Sequence, residues 1–159
     1  MNGTVDQAWQ SSLGKELSKE EVSALAEMMT PKSLADGDYL ISEGTSDDSL
    51  HVLLEGKLEV VKKTGADEET SLAVLREGDL AGELSFVDGA EHTVGLRALC
   101  DTVVLSLARA DFEKVIDENP QLVYKVMRAV ARSAHGIVRR MNSQFVELSN
   151  YVYKQHGRY

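Results

Sequence analysis

The chain has 159 residues and a formal net charge of −9, which argues against a nucleic-acid reader, because phosphate contacts need clustered Lys and Arg, and equally against docking on an anionic membrane surface. With 43% hydrophobic and 27% charged residues it reads as one soluble globular unit large enough to bury a core. No apolar run approaches the roughly 18 residues of a membrane helix, the N-terminus lacks a signal-peptide layout, and a lone cysteine, Cys100, excludes an internal disulfide and suits a reducing cytoplasm.

Trp9 and Leu13, four apart, predict a short amphipathic helix that docks on the remainder of the chain. Ser18 and Glu21 form a capping-box signature, with Leu17 and Val22 as its hydrophobic staple. Val22, Leu25, Ala26 and Met29 then carry a helix to near Thr30-Pro31. From Leu34 to Ala108 the texture changes to short apolar runs split by turns at Gly37, Gly44, Gly56, Gly65, Gly78 and Gly89. Strands are expected at Tyr39–Ile41, His51–Leu54, Leu58–Val61, Leu72–Leu75, Thr93–Leu99 and Val103–Leu107, an antiparallel β-roll or jelly roll. Leu54–Leu58 reads as a tight hairpin and Thr64–Ser71 as a longer hairpin loop. Cys100 is expected as a small buried residue at a strand end. Such a closed double sheet can leave a ligand-sized hollow.

Within this region Gly82-Glu83-Leu84-Ser85 is a glycine bend running into one helical turn, and Gly89 turns the chain out again. A helix start of this kind leaves backbone N–H groups pointing one way, a general recipe for holding an anion. Further on, Asp111–Asp117 predicts a short helix, and Asn119-Pro120 caps a long one that could approach about 50 Å at 1.5 Å per residue. Tyr124, Met127, Ala131, Ala134, Val138, Met141, Phe145, Leu148 and Val152 recur alternately three and four apart, a coiled-coil seam over four heptads. Val123, Val126, Val130 and Ile137 form a second stripe. The Val stripe is assigned to the β-roll and the seam, from Met127 to Leu148, to the same helix of a second copy. Folding of the whole helix onto its own domain is the alternative. The expected division is residues 1–118 for N-terminal helices and roll and 119–159 for the long helix, in one structural unit.

Gly82-Glu83-Leu84-Ser85, a spacer holding Gly89, a polar pair and a strand ending Leu96-Arg97-Ala98 together resemble the phosphate-binding cassette of the cyclic-nucleotide-binding domain. Gly37-Asp38-Tyr39-Leu40-Ile41 and Glu43-Gly44 resemble the family's opening hairpin, Leu50–Val60 resembles its second, and Gly78-Asp79 precedes the cassette as in the family. The resemblance implies that Gly82 and the amides of Leu84 and Ser85 face a cyclic phosphate and that Glu83 takes a ribose 2′-hydroxyl. At the family's arginine stands His92, followed by Thr93 where a small or hydroxyl residue is usual. A charged hydrogen bond of the arginine kind is worth about 2–5 kcal/mol, and histidine bonds through one nitrogen at a time.

Three readings follow: a cyclic nucleotide (cAMP or cGMP) in a variant site, another small anionic ligand, or a roll kept as a homodimerisation module. No catalytic constellation is present: the histidines are scattered, metal-ligand spacing is missing, and Ser85 does not sit in a nucleophile elbow. The expectation is a cytoplasmic, non-enzymatic regulatory module without a metal, acting on an unidentified downstream protein. Because the family's transcription factors append a DNA-binding domain that these residues do not supply, no direct contact with nucleic acid is expected.

Overall fold

A computed structural model describes residues 2–156. Helices α1 (Asn2–Trp9) and α2 (Lys19–Ala26) flank a 3-10 turn at Ser12–Lys15. The strands that follow are β1 (Thr30–Leu34), β2 (Tyr39–Ile41), β3 (Ser49–Glu55), β4 (Leu58–Lys63), β5 (Glu69–Leu75), β6 (Leu80–Ala81), β7 (Gly95–Ala98) and β8 (Thr102–Ala108). Helix α3 (Glu83–Asp88) lies between β6 and β7, α4 (Arg109–Glu113) follows β8, and α5 (Pro120–His156) runs for 37 residues. The strands form two four-stranded antiparallel sheets, β1-β8-β3-β6 and β2-β7-β4-β5. This is the expected mainly β roll with flanking helices and a long last helix.

The central strands of the first sheet are buried on both faces, which is why β3 and β8 read as nearly continuous apolar runs. Leu50, Val52, Leu105 and Leu107 pack on the helical side with Leu13, Val22, Leu25, Phe112, Leu122 and Val126. The alternate residues Leu53 and Val104 point into the roll, against Ile41, Leu58, Leu96 and Ala98 of the second sheet. Each such leucine contributes about 1.5–3 kcal/mol by leaving water.

Several local expectations need correction. The capping box of Ser18 and Glu21 is present, but its helix ends at Ala26 and residues Thr30–Leu34 form β1. That strand is exposed along nearly its whole length and so shows no apolar alternation; as an edge strand it tolerates Pro31, which has no N–H to donate. Trp9 and Leu13 do not share a helix: the chain reverses so tightly that a Cβ on Gly14 would run into the Trp9 carbonyl oxygen. Leu13 is buried while Trp9 stays half-open beside the Lys19 ammonium. The last short helix starts and ends earlier than expected, at Arg109 and Glu113. Cys100 is exposed, on the turn between β7 and β8.

The largest correction concerns Leu54–Leu58. It is no hairpin, because β3 pairs with β8 and β6 whereas β4 pairs with β5 and β7. The turn is a corner carrying the chain from one sheet to the other. Gly56 makes it, at φ +92°, with the site of a Cβ only 2.5 Å from the Thr102 hydroxyl oxygen. The true hairpin is β4–β5 across residues 64–68.

Helix α5 starts as expected, with the Asn119 side chain accepting from the Leu122 N–H at 3.2 Å. Leu122, Val126, Ala129 and Val130 are buried in the core, and ion pairs from Lys125 to Glu21 and from Arg128 and Arg132 to Glu16 hold the same half down. Met127, expected to face a partner, is half-buried and packs in part against the chain's own core, as Val123 does. Beyond it Ala131 is exposed and Ala134 half-buried, whereas Val138, Met141, Phe145 and Leu148 are exposed, Phe145 at 70%. A Gly56→Ala substitution is expected to lower stability by more than about 1 kcal/mol, read as a lower urea midpoint, because it adds both strain and a clash at the corner.

Candidate functional site

The inward face of the first sheet changes character along its length. Leu53 and Val104 are apolar, but one step along the ladder His51 and Ser106 stand opposite each other as cross-strand partners. Around this polar end gather Glu83, Ser85 and His92, all buried. The cassette segment brings them there: β6 pairs with β3, putting Ala81 opposite His51, and Gly82 then turns the chain at φ +72° into α3. A Cβ on Gly82 would meet the Ser49 carbonyl oxygen at 2.9 Å, so glycine is required by both conformation and space.

A continuous hydrogen-bonded chain runs through this end. The Nε2 of His92 lies 3.0 Å from the Asp47 backbone carbonyl and its Nδ1 lies 3.1 Å from the Ser85 hydroxyl. A carbonyl can only accept, so Nε2 carries the proton and, in the neutral ring, the Ser85 hydroxyl donates to Nδ1. Both ring nitrogens of His92 are therefore engaged within the protein. The Asp47 carboxylate in turn lies 2.9 Å from Nε2 of His51, whose Nδ1 meets the Ser106 hydroxyl at 2.6 Å. The bond to His51, reinforced by its charge and by the Ser49 N–H, lowers Asp47 to about 2 despite opposing burial. Ser106, His51 and Asp47 echo a hydrolase relay in composition, yet the imidazole is wholly buried and Ser106 nearly so, leaving no access for a substrate.

Glu83 differs from these. It is 5% exposed and its Oε2 has no hydrogen-bond partner. Burial pushes its carboxyl upward; its own backbone N–H opposes that, the Asp79 charge adds to it, and the Arg140 charge from α5 opposes it. A buried acceptor left open costs about 1–3 kcal/mol and is rare without a reason. At the rim, the Thr93 side chain is exposed and its carbonyl accepts from the Lys62 ammonium at 2.9 Å, while Lys62 also meets Glu43 at 2.7 Å.

The structure thus gathers Gly82, Glu83, Ser85 and His92, with Thr93 at the edge and the Leu84 side chain turned outward, 64% exposed. The sequence reading missed Asp47, His51, Ser106 and Lys62. The alternation of β3 and β8 would have turned His51 and Ser106 inward, but no local motif marks them as a pair. Two shallow surface clefts, about 290 Å³ beside Tyr39 and Glu69 and about 360 Å³ beside Val5 and Lys19, include neither Glu83 nor His92 in their walls. Among the described residues no group of three His, Cys, Asp or Glu is placed to hold a metal.

Residues 31–119 match the sequence pattern of the cyclic nucleotide-binding domain. The chain is similar to the CRP-like cAMP-activated global transcriptional regulator of Mycobacterium tuberculosis, 24% identical over 127 residues that cover 80% of this chain and 55% of that protein. In structure it is similar to a cyclic nucleotide-binding domain from Methylobacillus flagellatus KT, with a TM-score of 0.84, 21% identity and coverage of 91% of this chain and 83% of that one. It is also similar to the N-terminal domain of a transcriptional regulator from Streptomyces coelicolor A3(2), with a TM-score of 0.71, 31% identity and coverage of 86% and 95%. The chain spans about half the length of the curated relatives it matches, or less.

The two carboxyls should mark stability with opposite signs. Asp47 is depressed, so its contribution is present above its ordinary value of 3.8 and is lost as pH falls toward about 2. Asp47→Asn is expected to cost about 1–2 kcal/mol at neutral pH, after allowance for solvent screening, and to converge with the wild type in acid. Glu83 is raised, so the wild type loses stability as pH climbs from the ordinary carboxylate range through the raised value. The stability of Glu83→Gln relative to wild type should therefore grow over that interval and then level off, read by denaturant titrations across pH.

Proposed function

The chain belongs to the cyclic nucleotide-binding domain family, and we propose that it is a dimeric regulatory module whose variant cassette takes a cyclic nucleotide, cAMP or cGMP. The observation that carries this reading is the open, buried Oε2 of Glu83, at the position where the family's glutamate receives a ribose hydroxyl. A ligand hydroxyl would fill the missing bond, and Gly82, Leu84, Ser85 and Thr93 line up with the remainder of the cassette. Signalling would follow from differential affinity. A ligand that prefers one placement of α5 over the cassette shifts the population toward it, and the Arg140 charge already acts on Glu83 from that helix.

The dimer is proposed through α5. Val138, Met141, Phe145 and Leu148 give an exposed apolar seam at coiled-coil spacing, with Ala131 and Ala134 extending it toward the roll. The output goes to an unidentified protein. No described helix is long and apolar enough to cross a membrane, and a cytoplasmic setting is part of the proposal. Direct binding to nucleic acid and catalysis are not.

One observation favours a second reading, a roll that dimerises without a nucleotide or with a different small ligand: both ring nitrogens of His92 are already bonded. Calorimetric titration with cAMP and cGMP at about pH 6 and about pH 7.5 separates the two. The proposal expects micromolar binding that is lost in Glu83→Ala; no heat at millimolar nucleotide at either pH would leave the second reading. Independently, Phe145→Glu is expected to convert a dimer to a monomer in sedimentation analysis without loss of the β-roll's circular dichroism.

A further inference from the structure

His92 leaves the cassette without the arginine charge, and its own nitrogens are committed to Ser85 and Asp47. A different cation stands at the same rim. On β4, Leu58 and Val60 pack into the roll, whereas the intervening Glu59 pairs with Arg97. Lys62 follows on the same strand, past a register irregularity between Val60 and Val61, with its side chain 43% exposed. Its ammonium reaches the Thr93 carbonyl at 2.9 Å, on the residue that directly follows His92. We propose that Lys62 is the phosphate-binding cation of this site, replacing the charge that His92 does not supply. The assignment rests on the cyclic-nucleotide reading above and adds to it the residue that recognises the ligand's charge.

The local chemistry fits this role. Lys62 is 43% exposed on a flexible four-carbon stem, so the ammonium can leave the Thr93 carbonyl for a phosphate oxygen without disturbing the sheet. In the absence of an anion its charge is held by Glu43, 2.7 Å away. Glu43 is fixed in turn by the Lys63 N–H at 3.0 Å, and its carboxyl is lowered chiefly by the bond from Lys62. A ligand phosphate and Glu43 then compete for one ammonium. The unpartnered Oε2 of Glu83 belongs to the same cassette segment as Thr93, whose carbonyl Lys62 meets. Arg140 is a cation whose charge reaches Glu83, but it belongs to α5.

The competition gives a test with opposite signs. The purified full chain would be titrated with cyclic AMP and with uncharged adenosine, alongside Lys62→Met, Glu43→Gln and Arg140→Met. The wild type should bind the cyclic nucleotide at least about tenfold more tightly than the nucleoside. Lys62→Met should erase that preference, losing about 10- to 100-fold for the nucleotide and little for the nucleoside. Glu43→Gln should tighten the nucleotide severalfold, a gain that a merely structural ion pair would not produce. Wild-type nucleotide affinity in Lys62→Met, weakening in Glu43→Gln, or loss of the charge preference in Arg140→Met alone would overturn the assignment of Lys62 and leave the cyclic-nucleotide reading intact. Silence of the wild type toward the nucleotide would overturn both.

Discussion

The pairing of β3 with β8 is the constraint on which everything else rests. These two strands form the centre of the first sheet and are covered on both sides, by helices on one and by the second sheet on the other. Because side chains alternate, a register shift of one residue would exchange the two faces. A slip of β3 would drive His51 into the helical core and turn Leu50 and Val52 toward the cassette, and a slip of β8 would do the same with Ser106, Leu105 and Leu107. The apolar contacts of the helical face thus fix not only the fold but also which polar atoms look into the roll.

At the polar end the hydrogen bonds are distributed unevenly. Asp47 connects both histidines, one through its carboxylate and one through its backbone carbonyl, so the loop before β3 holds the cassette and the central strands together. Every polar atom along that chain is satisfied, while the neighbouring Glu83 oxygen is not. A fully bonded network is rigid, and a single open acceptor beside it is a cost that the remainder of the core must offset. The contrast separates residues whose polar atoms are all engaged from the one whose buried oxygen has no partner.

What could be read from the sequence follows from the range of each interaction. The Ser18–Glu21 box and the Asn119 cap are local, and both are legible from four residues. Glu83 and Gly82 were found through a motif whose spacing the backbone enforces. Strand β1 escaped because its side chains are exposed and carry no period. The Gly56 corner escaped for a different reason: a hairpin and a change of sheet can share the same short turn, and only the distant partner β8 distinguishes them. Within the network of Asp47, His51 and Ser106 the His51–Ser106 bond spans 55 residues, and Lys62 meets Thr93 across 31. No window along the chain contains those pairs. The seam on α5 was legible as a pattern, but Met127 shows that a heptad register alone does not say where a helix leaves its own core.

Helix α5 is also a lever. Its last ion pair to the rest of the chain among the described residues is at Arg132, and about 24 further residues extend roughly 36 Å beyond it. Rotating such a rod by about 5° about that point carries its far end about 3 Å, whereas a side chain one turn from the pivot moves by only about half an ångström. Small adjustments of packing around Ala129 and Val130 are thereby enlarged several-fold at the distal end. The ion pairs from Glu16 are among the grips that set this gain, so the short N-terminal segment, far from the cassette in sequence, helps to set the length of the arm.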